Sequence, residues 1–364
     1  MTQQPSRCVV SRDEAIFPCY VGVDLGGTNT KIGIVDDMGR TLFFDQSPTQ
    51  VDQGPDAVVD RISDQVEFAM NQVGLQSPEL ASLGIGAPGI LDFREGTMRV
   101  PVNFPGWENY PIRQQLRERL NMPVVLSNDA SAAAYGEFWV GTGKQYDSLI
   151  LLTLGTGIGA GIIIGDLIIE GNCGHGAECG HMIIDTSATA RRCGCGMYGH
   201  LEAYCGARAT IAIVREQLES GVETSLRKRL DSGEDISPQI IAEESDRGDP
   251  FCVEVVDQIA RRLSQGIVSL LHTIDPACVL IGGAMTFGMH GTPTGRRFLS
   301  LVRSETKRQT FTTLAAQIDI NYAQLGSDAG YIGAAGIARI DSYARSKTRS
   351  GMQIASLRRN TSAE

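Results

Sequence analysis

Asp24-Leu25-Gly26-Gly27-Thr28-Asn29-Thr30-Lys31 lies between two β-prone runs, Tyr20-Val21-Gly22-Val23 and Lys31-Ile32-Gly33-Ile34-Val35. A third run, Thr41-Leu42-Phe43-Phe44, completes a meander. The paired glycines let backbone N–H groups reach an anion with no Cβ in the way, and Thr28 and Asn29 add side-chain donors. Asp24 closes its strand, where a carboxylate can hold a Mg2+-bound water. Standing alone, such a turn reads as an ordinary hairpin. It does not stand alone. Leu154-Gly155-Thr156-Gly157-Ile158-Gly159 repeats the chemistry, again between strands. Neither stretch is a P-loop, which needs Gly-Lys-Ser/Thr opening a helix, nor a dinucleotide fingerprint, since a strand follows each.

Outward from the first turn, Val58, Val59, Ile62, Val66, Ala69, Met70 and Val73 recur at helical spacing. A strand is predicted over 83–87, broken by Pro88-Gly89, then a helix over 112–120, a strand over 124–126 and a helix over 130–139. The second half repeats the plan. Strands are predicted over 149–154, 161–164 and 167–169, with the whole of 155–159 as turn. A helix follows over 207–218, then charged surface helix and loop over 219–250 and a long helix over 252–272. The strand 278–281 ends in Gly282-Gly283; a last strand is predicted over 318–322 and a small-residue helix over 329–344. The fold class is α/β, with a meander, a glycine turn and alternating helix and strand occurring twice. The predicted division is an N-terminal arm, 1–19; a small domain, 20–127, rejoined by the helix at about 329–345; a large domain, 128–328; and a flexible tail, 346–364. Two glycine turns on two facing domains suit a nucleotide whose phosphates lie across a cleft.

A chain of 364 residues has room for two such domains. Its 32 Lys and Arg against 42 Asp and Glu leave a net charge of −10, which argues against coating nucleic acid. No apolar run approaches the ~18–20 residues of a membrane span. The first twenty residues carry Arg7, Arg12, Asp13 and Glu14 and lack the apolar core of a signal peptide. The expectation is a soluble cytoplasmic protein with neither nucleic-acid nor membrane partner. Five of nine cysteines and three of five histidines fall within residues 173–205, and such clustering in an intracellular chain points to a metal before disulfides. His181, Cys193, Cys195 and His200 offer two imidazoles and two thiolates, a tetrahedral Zn2+ set with Cys205 in reserve. The competing reading is two ordinary buried thiols and a surface histidine.

Residues 24–31, 84–89, 103–107, Asn128-Asp129, 154–159, 175–181, 193–202, Gly282-Gly283 and 326–336 stand in an order that resembles the ROK family of sugar kinases and repressors, within the hexokinase/actin-like ATPase superfamily. The likeness covers about residues 20 to 340. It implies two actin-like (ribonuclease H-like) α/β domains flanking a cleft, with ATP and catalytic Mg2+. The phosphates would meet Asp24, Gly26, Gly27, Thr28, Asn29, Lys31, Gly155, Thr156 and Gly157, with Gly282, Gly283 and 326–329 on the adenosine side. From its position alone, Asp129 is either a helix cap or a general base for a sugar hydroxyl. The resemblance makes it the base, with Asn128 and Asn103 as sugar ligands, and Glu178, His181 and Glu202 completing the set. Trp107 is read as a packing anchor. The family has a third cysteine where this chain has His200, and the metal is structural. One ring nitrogen of His181 would serve zinc and the other the sugar.

The expected activity is glucose phosphorylation by ATP. Kinases for N-acetylglucosamine, N-acetylmannosamine, fructose or allose share these motifs. The rival class is a sugar-responsive repressor, whose winged helix-turn-helix is not matched by the 23 residues ahead of Asp24. A homodimer is expected from the resemblance.

Overall fold

The computed structural model describes residues 7–76, 79–101 and 103–349. The chain forms two compact units, one of residues 7–136 with 330–349, the other of residues 137–329. The division falls between Gly136 and Glu137, inside the helix that follows Asp129.

The first unit holds β1 (Cys19–Leu25), β2 (Asn29–Val35), β3 (Thr41–Pro48), β4 (Leu80–Ala87), β5 (Ile90–Asp92), β6 (Thr97–Val100) and β7 (Val124–Asn128). Its helices are α1 (Pro55–Val73), α2 (Ile112–Leu120) and the start of α3 (Asp129–Trp139). The main sheet has the order β3-β2-β1-β4-β7, antiparallel across the meander and parallel from β1 to β7. The small β5–β6 ribbon was not anticipated. The apolar stripe of α1 buries Val58, Val59, Ile62, Val66 and Ala69.

The second unit repeats the topology. It holds β8 (Ser148–Leu154), β9 (Ile158–Ile164), β10 (Leu167–Ile168), β11 (Cys278–Gly282) and β12 (Asp319–Tyr322), in the order β10-β9-β8-β11-β12. Its helices are α4 (Glu202–Cys205), α5 (Ala207–Glu219), α6 (Leu226–Asp231), α7 (Pro238–Asp246), α8 (Pro250–Ile274), α9 (Pro293–Arg308) and α10 (Thr312–Gln317). The second glycine turn is tighter than expected: Leu154 already pairs with Ile158, so only residues 155–157 lie outside the strands. α9 was missed, although Thr292 caps it by accepting the Gly295 N–H at 3.0 Å and Pro293 opens it, both sequence-visible start signals.

The last helix, α11 (Ala329–Arg349), closes the first unit. Gly22 pairs with Gly33 on one side and Gly84 on the other, so three glycines lie abreast across β2, β1 and β4. α11 rests in the furrow they leave. A Cβ on Gly22 would run into the Tyr331 carbonyl, one on Gly84 into the Ala334 carbonyl, and one on Gly33 into the Tyr331 ring. Ser82 donates to the Ala338 carbonyl at 3.0 Å, and Thr41 and Tyr331 share a hydroxyl hydrogen bond of 2.9 Å. Gly84→Val is therefore expected to cost about 3 kcal/mol or more, because backbone cannot yield as a side-chain tip does. Thermal unfolding of the purified variant checks this; a midpoint equal to wild type would contradict the close seat.

Residues 7–18 of the predicted arm are pinned to the first unit. Val9 bridges Thr41 on the edge strand, Asp37 donates its N–H to Ile16 O, and the Arg7 guanidinium lies 3.5 Å from the centre of the Phe44 ring. Of the expected tail, 346–349 continue α11 and 350–364 lie outside the described residues.

Candidate active site

At the carboxyl end of the first sheet, Asp24, Gly86 and Ser127 form one row across β1, β4 and β7. The first glycine turn projects from this end. Gly26 donates its N–H to Asn29 O at 3.1 Å, and Thr49 ties the turn from behind by donating its hydroxyl to Gly26 O at 2.6 Å. Gly27 and Thr28 are exposed, and a Cβ on Gly27 would lie 3.8 Å from Asn103 Cβ. The turn and the 103–107 loop thus sit side by side. Lys31 Nζ lies 3.2 Å from Asp24 Oδ2, and the Asp24 carboxylate packs against Gly330 in the first turn of α11.

The loop carrying Asn103 is anchored by Trp107, which is fully buried and packs edge-on against Phe104 and Tyr110. Asn103 has φ of +64°, a left-handed conformation that asparagine tolerates better than most residues.

At the end of β7 the cap is Asn128, not Asp129. Asn128 Oδ1 accepts the N–H groups of Ala130 (2.9 Å) and Ser131 (3.2 Å), which leaves its amide NH2 as a donor. Asp129 is the first helical residue, half-buried, with Oδ1 accepting the Ala130 N–H at 2.8 Å. Gly86 keeps the sheet clear beneath it, where a Cβ would come within 3.4 Å of Asp129 Cα.

In the second unit the corresponding sheet end gathers the second glycine turn, Gly282-Gly283 and residues 323–328. Thr153 pairs with Gly282, and Met285 donates to Leu154 O at 2.9 Å. Gly283 has φ of +89°, and a Cβ there would strike the Leu154 backbone. Ala323 donates to Ile281 O at 2.9 Å.

Glu178 precedes and His181 ends a short 3-10 turn (Cys179–His181) pressed on Ile158, the first residue of β9. Their side chains are partly exposed, with His181 Nε2 3.8 Å from Glu178 Oε2. The preceding Ala177 is held at φ +63°, a strained position for a residue with a Cβ. Glu202 faces inward instead. Its Oε2 accepts the Ile158 N–H at 3.0 Å, its Oε1 lies 3.5 Å from Cys193 Sγ, and its carboxylate covers Gly157, where no Cβ would fit.

One ligand atom from each of His181, Cys193, Cys195 and His200 lies within 4.8 Å of the other three. Zn–N and Zn–S bonds of their usual lengths put tetrahedral ligands about 3.3–3.8 Å apart. Three of the separations lie close to this range: His181 Nδ1 is 3.2 Å from His200 Nδ1 and 3.8 Å from Cys193 Sγ, and Cys195 Sγ is 3.3 Å from His200 Nδ1. His200 is buried, contrary to the surface-histidine reading, and burial and then its neighbour His181 hold its pKa below the ordinary value, in the neutral form a ligand needs. Burial pushes the Cys193 thiol up to about 11, so a cation is what would make it a thiolate. Cys205 is not a reserve ligand. It lies in the core, with its thiol donating to Ile259 O.

The ROK family pattern matches residues 20–340. The chain belongs to the ROK family. Among ROK relatives, the glucokinase of Thermotoga maritima is 31% identical over 319 residues, covering 88% of this chain and 96% of that protein. A crystal structure of a ROK glucokinase from Streptomyces griseus, in complex with glucose and AMPPNP, is 31% identical with a TM-score of 0.71, covering 88% of this chain and 99% of that one. The family also holds regulators: the xylose repressor of Caldicellulosiruptor bescii is 26% identical, over 86% of this chain and 76% of that protein. The mixed α/β architecture is that of the ROK structures. Among the described residues, no helix is long and apolar enough to cross a membrane.

Proposed function

We propose that this ROK protein is an ATP-dependent glucokinase, with Asp129 as general base. The observation that carries the reading is the end of β7, where Asn128 spends its carbonyl on the helix cap and keeps its amide for a hydroxyl. The next residue then supplies a half-buried carboxylate at the same sheet end as the first glycine turn. A sugar hydroxyl is a poor nucleophile, and a carboxylate within hydrogen-bond reach accepts its proton as oxygen attacks the γ-phosphorus.

Asn103, Asn128 and Asp129 from the first unit, with Glu178, His181 and Glu202 from the second, are the proposed sugar ligands. Gly26, Gly27, Thr28, Asn29, Gly155, Thr156 and Gly157 offer backbone and side-chain donors to phosphate, and Lys31 adds positive charge. Gly282 and Gly283 are assigned to the adenosine side. Asp24 would hold a water of Mg2+, an ion that would supply positive charge against the charge developing on the phosphates. His181, Cys193, Cys195 and His200 would hold Zn2+ as a structural ion, leaving His181 Nε2 on the Glu178 side. The reading also carries a homodimer and a cytoplasmic location.

The test is ADP release with Mg-ATP across glucose, N-acetylglucosamine, N-acetylmannosamine, fructose and allose. Glucose is expected to give the highest kcat/KM. A higher value for another sugar would reassign the acceptor. Sugar binding without ADP release, in folded protein, would favour a regulator.

A further inference from the structure

Glu137 is wholly buried near the end of α3, at the start of the second unit. Among the described residues no positive side chain is paired with it; backbone N–H groups hold it instead. Its Oε1 accepts the Leu325 N–H at 2.6 Å and its Oε2 accepts the Thr142 N–H at 3.0 Å. Gly141 makes the cradle, for a Cβ there would overlap the carboxylate. Thr142 also donates its hydroxyl to Tyr322 O at 3.2 Å, at the end of β12. Burial pushes the carboxyl pKa up, and the N–H groups of Leu325, Gln324 and Thr142 pull it back.

What Glu137 fixes is the loop 323–328, beyond the carboxyl end of β12. Ligands of open α/β sheets bind at that end, and here the second glycine turn and Gly282-Gly283 occupy the neighbouring strands. A buried charge held by backbone N–H groups of the 141–142 turn and of the 323–328 loop is an expensive fixture, retained where that loop must stand in one place.

Resting on the kinase reading, we propose that Glu137 is a positioning residue for the nucleotide: it holds residues 324–328 in the conformation that receives the adenosine half of ATP.

Glu137→Gln keeps the shape but turns an NH2 toward one of the N–H donors. The dissociation constant for AMPPNP, by calorimetry, and KM for ATP are each expected to rise about tenfold, the loss of a charge-assisted hydrogen bond. KM for glucose and kcat should stay within about twofold. An unchanged nucleotide constant in folded E137Q overturns the assignment. So does an equal rise in both KM values, the mark of a merely structural part. Should E137Q not fold, hydrogen exchange on the wild type decides: AMPPNP, and not glucose, must slow the amides of 323–328. Failure of the wild type to bind AMPPNP at all would instead remove the kinase reading beneath it.

Discussion

Asp129→Asn is expected to lower kcat by about 10²–10⁴-fold, the usual contribution of a general base, with glucose affinity changed no more than a few-fold. The substitution is nearly isosteric. An Asn carbonyl can still accept the Ala130 N–H that Asp129 Oδ1 takes at 2.8 Å, so the head of α3 should keep its form. What it removes is a group able to take a proton as the hydroxyl attacks. Turnover comes from ADP release. Sugar affinity can be followed through Trp107, buried in the loop that carries Asn103. A folded variant turning over at near the wild-type rate would end the assignment of Asp129 as base.

Loss of the metal is the second large effect. Cys195→Ser, or exhaustive chelation, is expected to empty the proposed zinc site and weaken glucose binding by about tenfold or more, the scale on which support of a ligand imidazole matters. The coupling runs through one ring: His181 Nδ1 faces Cys193 and His200 while Nε2 faces Glu178. Without a cation, the two imidazoles and two thiols around this point would be joined by their own hydrogen bonds in place of metal bonds, His181 Nδ1 to His200 Nδ1 at 3.2 Å among them. Calorimetry with glucose, run beside a metal assay of the same sample, makes the measurement. Undiminished glucose affinity in verified metal-free protein would break the link. His200→Cys, which substitutes a third thiolate, should retain both metal and sugar.

Much of this was legible because it is local. The two glycine turns, the Asn128-Asp129 pair and the four proposed metal ligands each stand out by residue type and short spacing. The contacts of residues 7–18 do not, because Val9 finds Thr41 and Ile16 finds Asp36 only after the meander has formed. Cys205 stands close enough in sequence to His200 to be counted with the proposed ligands, but a turn of helix points it into the core. Glu137 carries no signal at all in an alanine-rich helix; its partners lie at Thr142 and, far along the chain, at Leu325. The division between the units leaves no mark either, since an unbroken helix runs straight through it.

The furrow of Gly22, Gly33 and Gly84 bears on how the protein is made. A ribosome releases the five strands of the first sheet early, but the helix that fills their glycine row is residues 330–349, synthesised after all of residues 137–329. Domains fold as units while the chain emerges. Residues 137–329 are contiguous and can close on the nascent chain as soon as they appear. The earlier strands must wait with a bare face until α11 arrives, so the half of the protein begun first is completed last.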